Sequence, residues 1–200
     1  MEPQTLLLAT RNAGKFNELR ALLADIPFTL VSLTEAGVDE LVEETGSTLE
    51  ENATLKATTY ARLSRLPTLS DDSGLEVEAL GGEPGPRSSR YAGEGASDAE
   101  LIAFLLGKLQ NVPEETRRAR FRCIIAVAWP SGPIDLYEGT CEGRIVDRPR
   151  GVNGFGYDPI FLLPEFGKTM AELASHEKNN LSHRAAAARK AAEVLKENAV

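Results

Sequence analysis

The stretch Leu6-Leu7-Leu8-Ala9-Thr10-Arg11-Asn12-Ala13-Gly14-Lys15, followed by Phe16-Asn17-Glu18-Leu19-Arg20-Ala21-Leu22-Leu23, decides the fold. An apolar run suited to a buried strand stops at Thr10, and Leu19, Leu22 and Leu23 then recur at helical spacing. Between them stand Thr10 and Asn12, whose side chains can hydrogen-bond phosphate oxygens, then Gly14, and Lys15 at the helix start. A strand-to-helix turn that offers backbone N–H groups and an ammonium suits an anion. It is not a P-loop, because Ala9 replaces the required glycine and Phe16 the magnesium-binding Ser or Thr. Any metal must find its ligands elsewhere. An ordinary βα turn is the competing reading of this segment taken alone.

Carboxylates follow. Ser70-Asp71-Asp72-Ser73-Gly74 lies between the apolar Leu66-Pro67-Thr68-Leu69 and the alternating Leu75-Glu76-Val77-Glu78-Ala79-Leu80. Adjacent aspartates at a strand end point to opposite faces, so one can face a cleft while the other supports the turn. An exposed acidic turn is the bland alternative. Upstream, Ser47-Thr48-Leu49-Glu50-Glu51-Asn52-Ala53 reads as a helix start with Ser47 and Glu50 in capping-box spacing. That assigns Glu50 to the cap and leaves Glu51 for other work. Magnesium takes hard oxygen ligands and commonly needs only one or two carboxylates plus substrate phosphates, so Glu51 and Asp72 suffice for a metal site.

In Gly151-Val152-Asn153-Gly154-Phe155-Gly156-Tyr157-Asp158-Pro159, glycines interleave with Phe155 and Tyr157, whose flat faces suit stacking on a nucleobase. Aromatics that simply pack the core beside a turn are the alternative, above all for Tyr157. In Ser175-His176-Glu177-Lys178-Asn179-Asn180-Leu181-Ser182-His183-Arg184, Ser182 is placed to cap an alanine-rich helix. His183 and Arg184 would then occupy a first turn, where cations oppose the macrodipole, and residues that break a local rule are candidates for function. The two histidines lack a Cys or carboxylate pattern and do not make a zinc site.

In this order, Thr10-x-Asn12-x-x-Lys15, Glu51-Asn52-Ala53, Asp71-Asp72-Ser73-Gly74, Gly81-Gly82-x-Pro84-Gly85, Phe155-Gly156-Tyr157-Asp158, Glu177-Lys178-Asn179 and Ser182-His183-Arg184 resemble the inosine triphosphate pyrophosphatase family. Arg11, where many members carry a small residue, and Leu49, where an aromatic is frequent, depart from it. The resemblance implies an α/β fold with an elongated central mixed sheet flanked by helices. It also implies two lobes with the active site in the cleft between them, and a homodimer. The implied reaction is Mg²⁺-dependent hydrolysis of ITP, dITP or XTP between the α- and β-phosphates. Asp72 would accept the proton of the attacking water, with Glu51 and Asp72 holding the metal. Thr10, Asn12 and Lys15 would grip the phosphates, with Ser73 and Lys178 nearby, and Arg11, Ala13 and Gly14 would also bind substrate. Phe155 would stack on the base, Gly156, Tyr157 and Asp158 would shape its pocket, and His183 and Arg184 would read its edge. A Maf-like nucleotide pyrophosphatase with another base preference and a non-catalytic nucleotide-binding regulator are the rivals.

Composition fits without deciding. A chain of 200 residues can bury one substantial core, so a single domain over 1–200 is expected. A formal net charge of −8 argues against a nucleic-acid or acidic-membrane binder. Positive charge must therefore be concentrated locally, at Lys15, Lys178 and Arg184. No stretch approaches the ~20 apolar residues of a membrane helix, and the first residues lack a basic segment followed by an apolar one. A cytoplasmic protein is expected, with Cys123 and Cys141 as reduced core thiols rather than a cross-strand disulfide.

Along the chain, periodicity predicts strand 5–9, helix 14–24, strand 28–33, helix 48–64, strand 67–71 and strand 74–80. A Gly/Pro loop then covers 81–96, and Ser97 and Glu100 form a capping box for helix 98–109. A hairpin pairs 117–129 with 133–146. On its first arm Arg118, Arg120 and Arg122 alternate with Ala119, Phe121 and Cys123, as in a half-buried strand with a basic outer face. Strand 159–163, a short helix after 169–172, and helix 183–197 complete the expectation.

Overall fold

The structure, a computed structural model, describes residues 4–197. Its elements are β1 (Gln4–Leu8), α1 (Ala13–Leu22), β2 (Phe28–Ser32), α2 (Leu49–Ser64), β3 (Thr68–Val77), β4 (Pro84–Gly85), α3 (Asp98–Lys108), β5 (Arg118–Ala128), β6 (Ile134–Ile145), β7 (Phe161–Leu163), β8 (Lys168–Thr169), α4 (Ser175–Leu181) and α5 (His183–Glu197). The eight strands form one mixed sheet in the order β2-β1-β3-β5-β6-β7-β8, with β4 paired to β3. β1 runs parallel to both β2 and β3, whereas β4 and β7 pair antiparallel with β3 and β6. The α/β expectation and its mixed sheet flanked by helices hold.

The chain divides into two compact units. The first comprises residues up to Asp72, Cys123–Gly139 and the residues from Arg184 on; the second comprises Ser73–Arg122 and Thr140–His183.

In the first unit, strand alternation sorts side chains onto two sheet faces. Leu6, Leu8, Leu69, Cys123, Ile125 and Val127 meet α1 (Leu19) and α5 (Ala187, Ala188, Ala191, Leu195). The residues between them, Ile124, Ala126 and Ala128, meet Leu49, Ala53, Ala57 and Ala61 of α2, while Leu7 and Ala9 meet Tyr60. Each fully buried leucine contributes roughly 1.5–3 kcal/mol relative to exposure.

The second unit packs α3 against its own strands through Leu101, Ile102 and Leu105, which join Leu75, Val77, Ala119, Phe121 and Ile145 in one core. α3 starts where expected: Ser97 Oγ accepts from the Glu100 amide, and Glu100 Oε2 accepts from the Ser97 amide at 2.8 Å. The basic stripe is a solvated face. Arg118 and Arg120 are exposed, and Arg120 and Arg122 donate to opposite oxygens of Glu76 at 2.6 and 3.4 Å.

One correction matters for the site. Strands expected separately at 67–71 and 74–80 are a single strand, β3, that runs straight through Asp71-Asp72-Ser73-Gly74. Only Glu78–Leu80 turns, as one short 3₁₀ segment. The strand continues because Gly74 leaves room for β4: a Cβ there would lie 2.3 Å from the Gly85 carbonyl oxygen. Its charged side chains are also matched by cations, so solvent is not needed to carry them.

Cys123 and Cys141 are both buried thiols outside any disulfide, and burial, with negative charge from Glu142 and Asp158, pushes the Cys141 thiol up to about 11. Among the described residues, no helix is long and apolar enough to cross a membrane.

Candidate active site

The strand-to-helix turn of the first unit forms as its sequence demands. Asn12 takes an extended backbone and caps α1, its Oδ1 accepting from the Lys15 amide at 2.9 Å. Thr10 Oγ1 accepts from the Asn12 amide at 3.2 Å. Because the Asn12 carbonyl oxygen serves the cap, its NH₂ is the group suited to an incoming phosphate oxygen. Ala13 and Gly14 are the first residues of α1, whose leading N–H groups have no intrahelical acceptor.

Asp71 and Asp72 point to opposite faces of β3, and each meets a different helix. Asp71 is 1% exposed, and its Oδ2 lies 3.1 Å from Lys15 Nζ and 3.1 Å from Arg184 Nη2. Burial alone would raise its pKa, but Lys15, Arg184 and Lys56 together hold it far below the ordinary carboxylate range. Asp72 faces α2, where Asn52 Nδ2 donates to its Oδ2 at 3.1 Å and Lys56 Nζ stands 3.5 Å from its Oδ1. For this residue burial wins over Lys56 and Lys15, with help from Glu44 and Asp71, and its pKa is raised. Two neighbouring carboxylates thus carry opposite shifts. That separation sets apart Asp71, held as a fixed anion, from Asp72, which gives up its proton less readily.

Sequence reasoning missed Asn52 and Lys56, although α2 advertises them. Its buried positions are Leu49, Asn52, Ala53, Lys56, Ala57, Tyr60 and Ala61, a helical stripe interrupted by two polar residues one turn apart. Lys56 donates to the Asp71 carbonyl at 2.7 Å and to Glu44 Oε1 at 2.5 Å. Burial would depress this ammonium, but Asp72, Asp71 and Glu44 raise it overall, so it stays charged. Glu44 itself comes from an irregular loop and gave no pattern to read.

The expected capping assignment is corrected. Thr48 is the N-cap of α2 and accepts from the Glu51 amide at 3.1 Å. Glu51 Oε2 accepts from the Ser47 amide and hydroxyl at 2.6 and 2.8 Å. The cap sits one residue later than Ser47/Glu50 spacing suggested, after a bend at Ser47–Thr48, and the Gly46 amide just before it donates to Asn52 Oδ1. Glu51 is therefore the capping carboxylate, and those two bonds hold its pKa low. Glu44, not Glu51, shares Lys56 with Asp72. Among the described residues, no three His, Cys, Asp or Glu side chains gather as a metal cage.

Arg184, expected at the base edge, sits on two carboxylates. It is the second residue of α5 and 1% exposed, and its guanidinium lies on Asp71 and on Glu18 Oε2, the latter at 2.5 Å. Arg11 is exposed and donates to the carbonyls of Asp39 and Glu40.

The second unit carries the glycine–aromatic loop. Asp158, 3% exposed, accepts from the Phe155 amide at 3.0 Å and pairs with Lys178, whose ammonium lies 4.8 Å from the centre of the Phe155 ring. Gly154 adopts φ +76°, and a Cβ there would fall 2.0 Å from Asp158 Oδ2, so only glycine fits. The Gly156 amide donates to Asp98 at the start of α3 at 2.7 Å. Tyr157 is a packing residue, 4% exposed, with its hydroxyl on the Ser88 carbonyl at 2.9 Å and its pKa raised by burial. His183 is buried and stacks on Phe121, with ring centres 4.7 Å apart and planes 16° apart. Ser73 is half-buried on β3, next in sequence to Asp72.

Together these features define an α/β protein with a strand-to-helix turn of unpaired leading amides, a split pair of carboxylates and an aromatic loop braced by a buried ion pair. The chain belongs to the Ham1 family, whose model matches residues 6–194. It is similar to a dITP/XTP pyrophosphatase of Geobacillus kaustophilus, 54% identical over 91% of this chain and 89% of the relative. A dITP/XTP pyrophosphatase of Bacillus subtilis is 46% identical over 94% of this chain and 96% of its own. Among solved structures, a HAM1 protein from Coxiella burnetii superposes with a TM-score of 0.88 at 44% identity, covering 97% of this chain and 99% of that one.

Proposed function

We propose that the protein hydrolyses ITP, dITP and XTP to the nucleoside monophosphate and pyrophosphate, removing deaminated purines from the nucleotide pool. The observation that carries this reading is Asp72: a buried carboxylate of raised pKa, held by Asn52 and Lys56 and next in sequence to a carboxylate locked in ionised form. Phosphoanhydride cleavage needs positioning and charge neutralisation more than covalent help. Asp72 takes the proton from the attacking water. Thr10, Asn12, Lys15 and the first amides of α1 receive phosphate oxygens, and Ser73, Lys56 and Lys178 add donors. Asp71 and Arg184 do not touch the substrate but fix Lys15 and the base of the turn.

The donor set fits a magnesium ion, because Asp72 and Glu44 supply hard oxygens and water and phosphate can complete the shell. When bound, such an ion neutralises charge on the phosphate oxygens. Phe155 stacks on the base and Asp158 and Lys178 brace it; Gly156 and Tyr157 shape the pocket, leaving His183 as the side chain for its edge. Hypoxanthine and xanthine present a keto acceptor where adenine presents an amine, and a donor built for the former rejects the latter by orders of magnitude. A cytoplasmic homodimer accompanies this reading.

A substrate panel tests it: ITP, dITP, XTP, GTP, ATP and dTTP, each with and without Mg²⁺. Monophosphate and pyrophosphate should appear from the first three, and EDTA should abolish them without unfolding the protein. Preference for dTTP would favour the Maf-like rival, and binding without turnover a regulator. Light scattering after size exclusion reads the dimer.

A further inference from the structure

Between β2 and α2, residues 38–46 form no regular element. They are nevertheless tied down at four points in the first unit. Tyr60 Oη donates to the Glu40 carbonyl at 3.1 Å and accepts from the Val42 amide. Lys56 holds Glu44, and Asn52 holds the Gly46 amide. The fourth tie comes from the phosphate turn itself: Arg11 Nη2 donates to the Asp39 and Glu40 carbonyls at 2.7 and 2.8 Å. The Glu40 carbonyl therefore uses both lone pairs, one for Arg11 and one for Tyr60. Arg11 stands between Thr10 and Asn12 in sequence, so a single side chain joins the turn that receives phosphates to the loop that delivers an acid.

We propose that Arg11 is a positioning residue that clamps loop 39–46 to the phosphate turn and so sets where Glu44 stands beside Lys56 and Asp72. Because both its acceptors are backbone carbonyls, the clamp fixes the path of the loop regardless of the side chains at 39 and 40. It also makes the two halves of the anion site answer to each other. A phosphate that orders Thr10 and Asn12 also orders the base of Arg11, and with it the acidic loop. The effect on metal use rests on the proposed pyrophosphatase reading; the clamp itself does not.

Hydrogen exchange and metal titration of the full chain test it in wild type, Arg11→Ala and Arg11→Lys. The useful amides are Val42, Thr45 and Gly46, which are hydrogen-bonded within the loop or to α2. In Arg11→Ala their exchange should quicken about tenfold while α2 amides hold. The Mg²⁺ concentration for half-maximal dITP hydrolysis should rise about three- to tenfold, less than the ten- to hundredfold seen for partners that bond a ligand directly. That rise should exceed the fall in kcat, and Arg11→Lys, with its ammonium donors, should recover part of both. Unchanged loop exchange in Arg11→Ala would overturn the clamp. So would a rise in nucleotide KM with loop exchange unchanged, which would make Arg11 a phosphate ligand. If wild type hydrolyses no purine triphosphate, the pyrophosphatase reading falls and the exchange arm still decides the clamp.

Discussion

The acidic strand of the first unit and the glycine–aromatic loop of the second both bury an aspartate against a lysine or arginine, but they hold it in different ways. Asp71 is fixed by side chains from two helices, Lys15 on α1 and Arg184 on α5. Asp158 is fixed by its own loop, through the Phe155 amide and a glycine at 154 that no other residue can replace. Geometry set by charges is vulnerable to neutralisation and acid. Geometry set by backbone conformation is vulnerable to a single methyl group. The first arrangement suits a site that must balance a polyanion; the second suits one that must hold a flat ring in one plane.

The largest effect should come from Asp72→Asn, which keeps shape but removes the proposed proton acceptor. Turnover of dITP should fall about 10²–10⁴-fold, the usual worth of general-base assistance. Thermal stability at neutral pH should not fall, because burial opposes the charge that is removed. Near-normal turnover would break the distinction drawn between the two aspartates.

Arg184→Ala should remove one of the cations that hold buried Asp71, leaving Lys15 on it. The loss should be about 1.5–3 kcal/mol in urea unfolding, the usual worth of a hydrogen bond to a charged group. A fall in ITP hydrolysis at unchanged stability would return Arg184 to reading the base. On the other side of the comparison, Gly154→Ala should cost about 1–3 kcal/mol of backbone strain and push Asp158 aside. The nucleotide KM should then rise more than kcat falls, and unchanged KM would detach this loop from base binding.

The smallest effects concern pH. Asp71, with a depressed folded pKa, contributes stability that is full above the ordinary carboxylate range and is lost as the pH falls below it. Asp72, with a raised folded pKa, does the reverse, and its base form is lost first on acidification. The acid limb of kcat/KM should therefore lie above about 3.9, the ordinary aspartate value, while the fold persists. Because Glu44 helps to raise Asp72, Glu44→Gln should move that limb to lower pH. A limb that stays in place would remove Glu44 from the neighbourhood of the base.

What the sequence made legible was local. The turn at 10–15, the box at Ser97 and the alternation along β5 each depend on residues within a few positions of one another. The acidic stretch misled because two aspartates and a glycine are ordinary turn chemistry, and nothing nearby announces that Gly85 will come close enough to Gly74 to pair as strand. Arg184 and Asp71 lie 113 positions apart, so the ion pair that explains a cation in a helix's first turn was invisible until the fold joined them. Glu44 stayed hidden for the opposite reason: its loop has no period, and only Lys56 gives it an address.

The even–odd order of β3 has a consequence for how this chain can vary. Leu69 and Asp71 belong to the α1/α5 side, whereas Ser70, which donates to the Ala53 carbonyl, and Asp72 belong to the α2 side. Inserting or deleting one residue among 69–72 would exchange these sides at once, sending Asp72 to Lys15 and Arg184 and Asp71 to Asn52 and Lys56. Length changes here are thus tolerable only in twos. The parity of this short segment is a constraint of its own, separate from the identity of any residue in it.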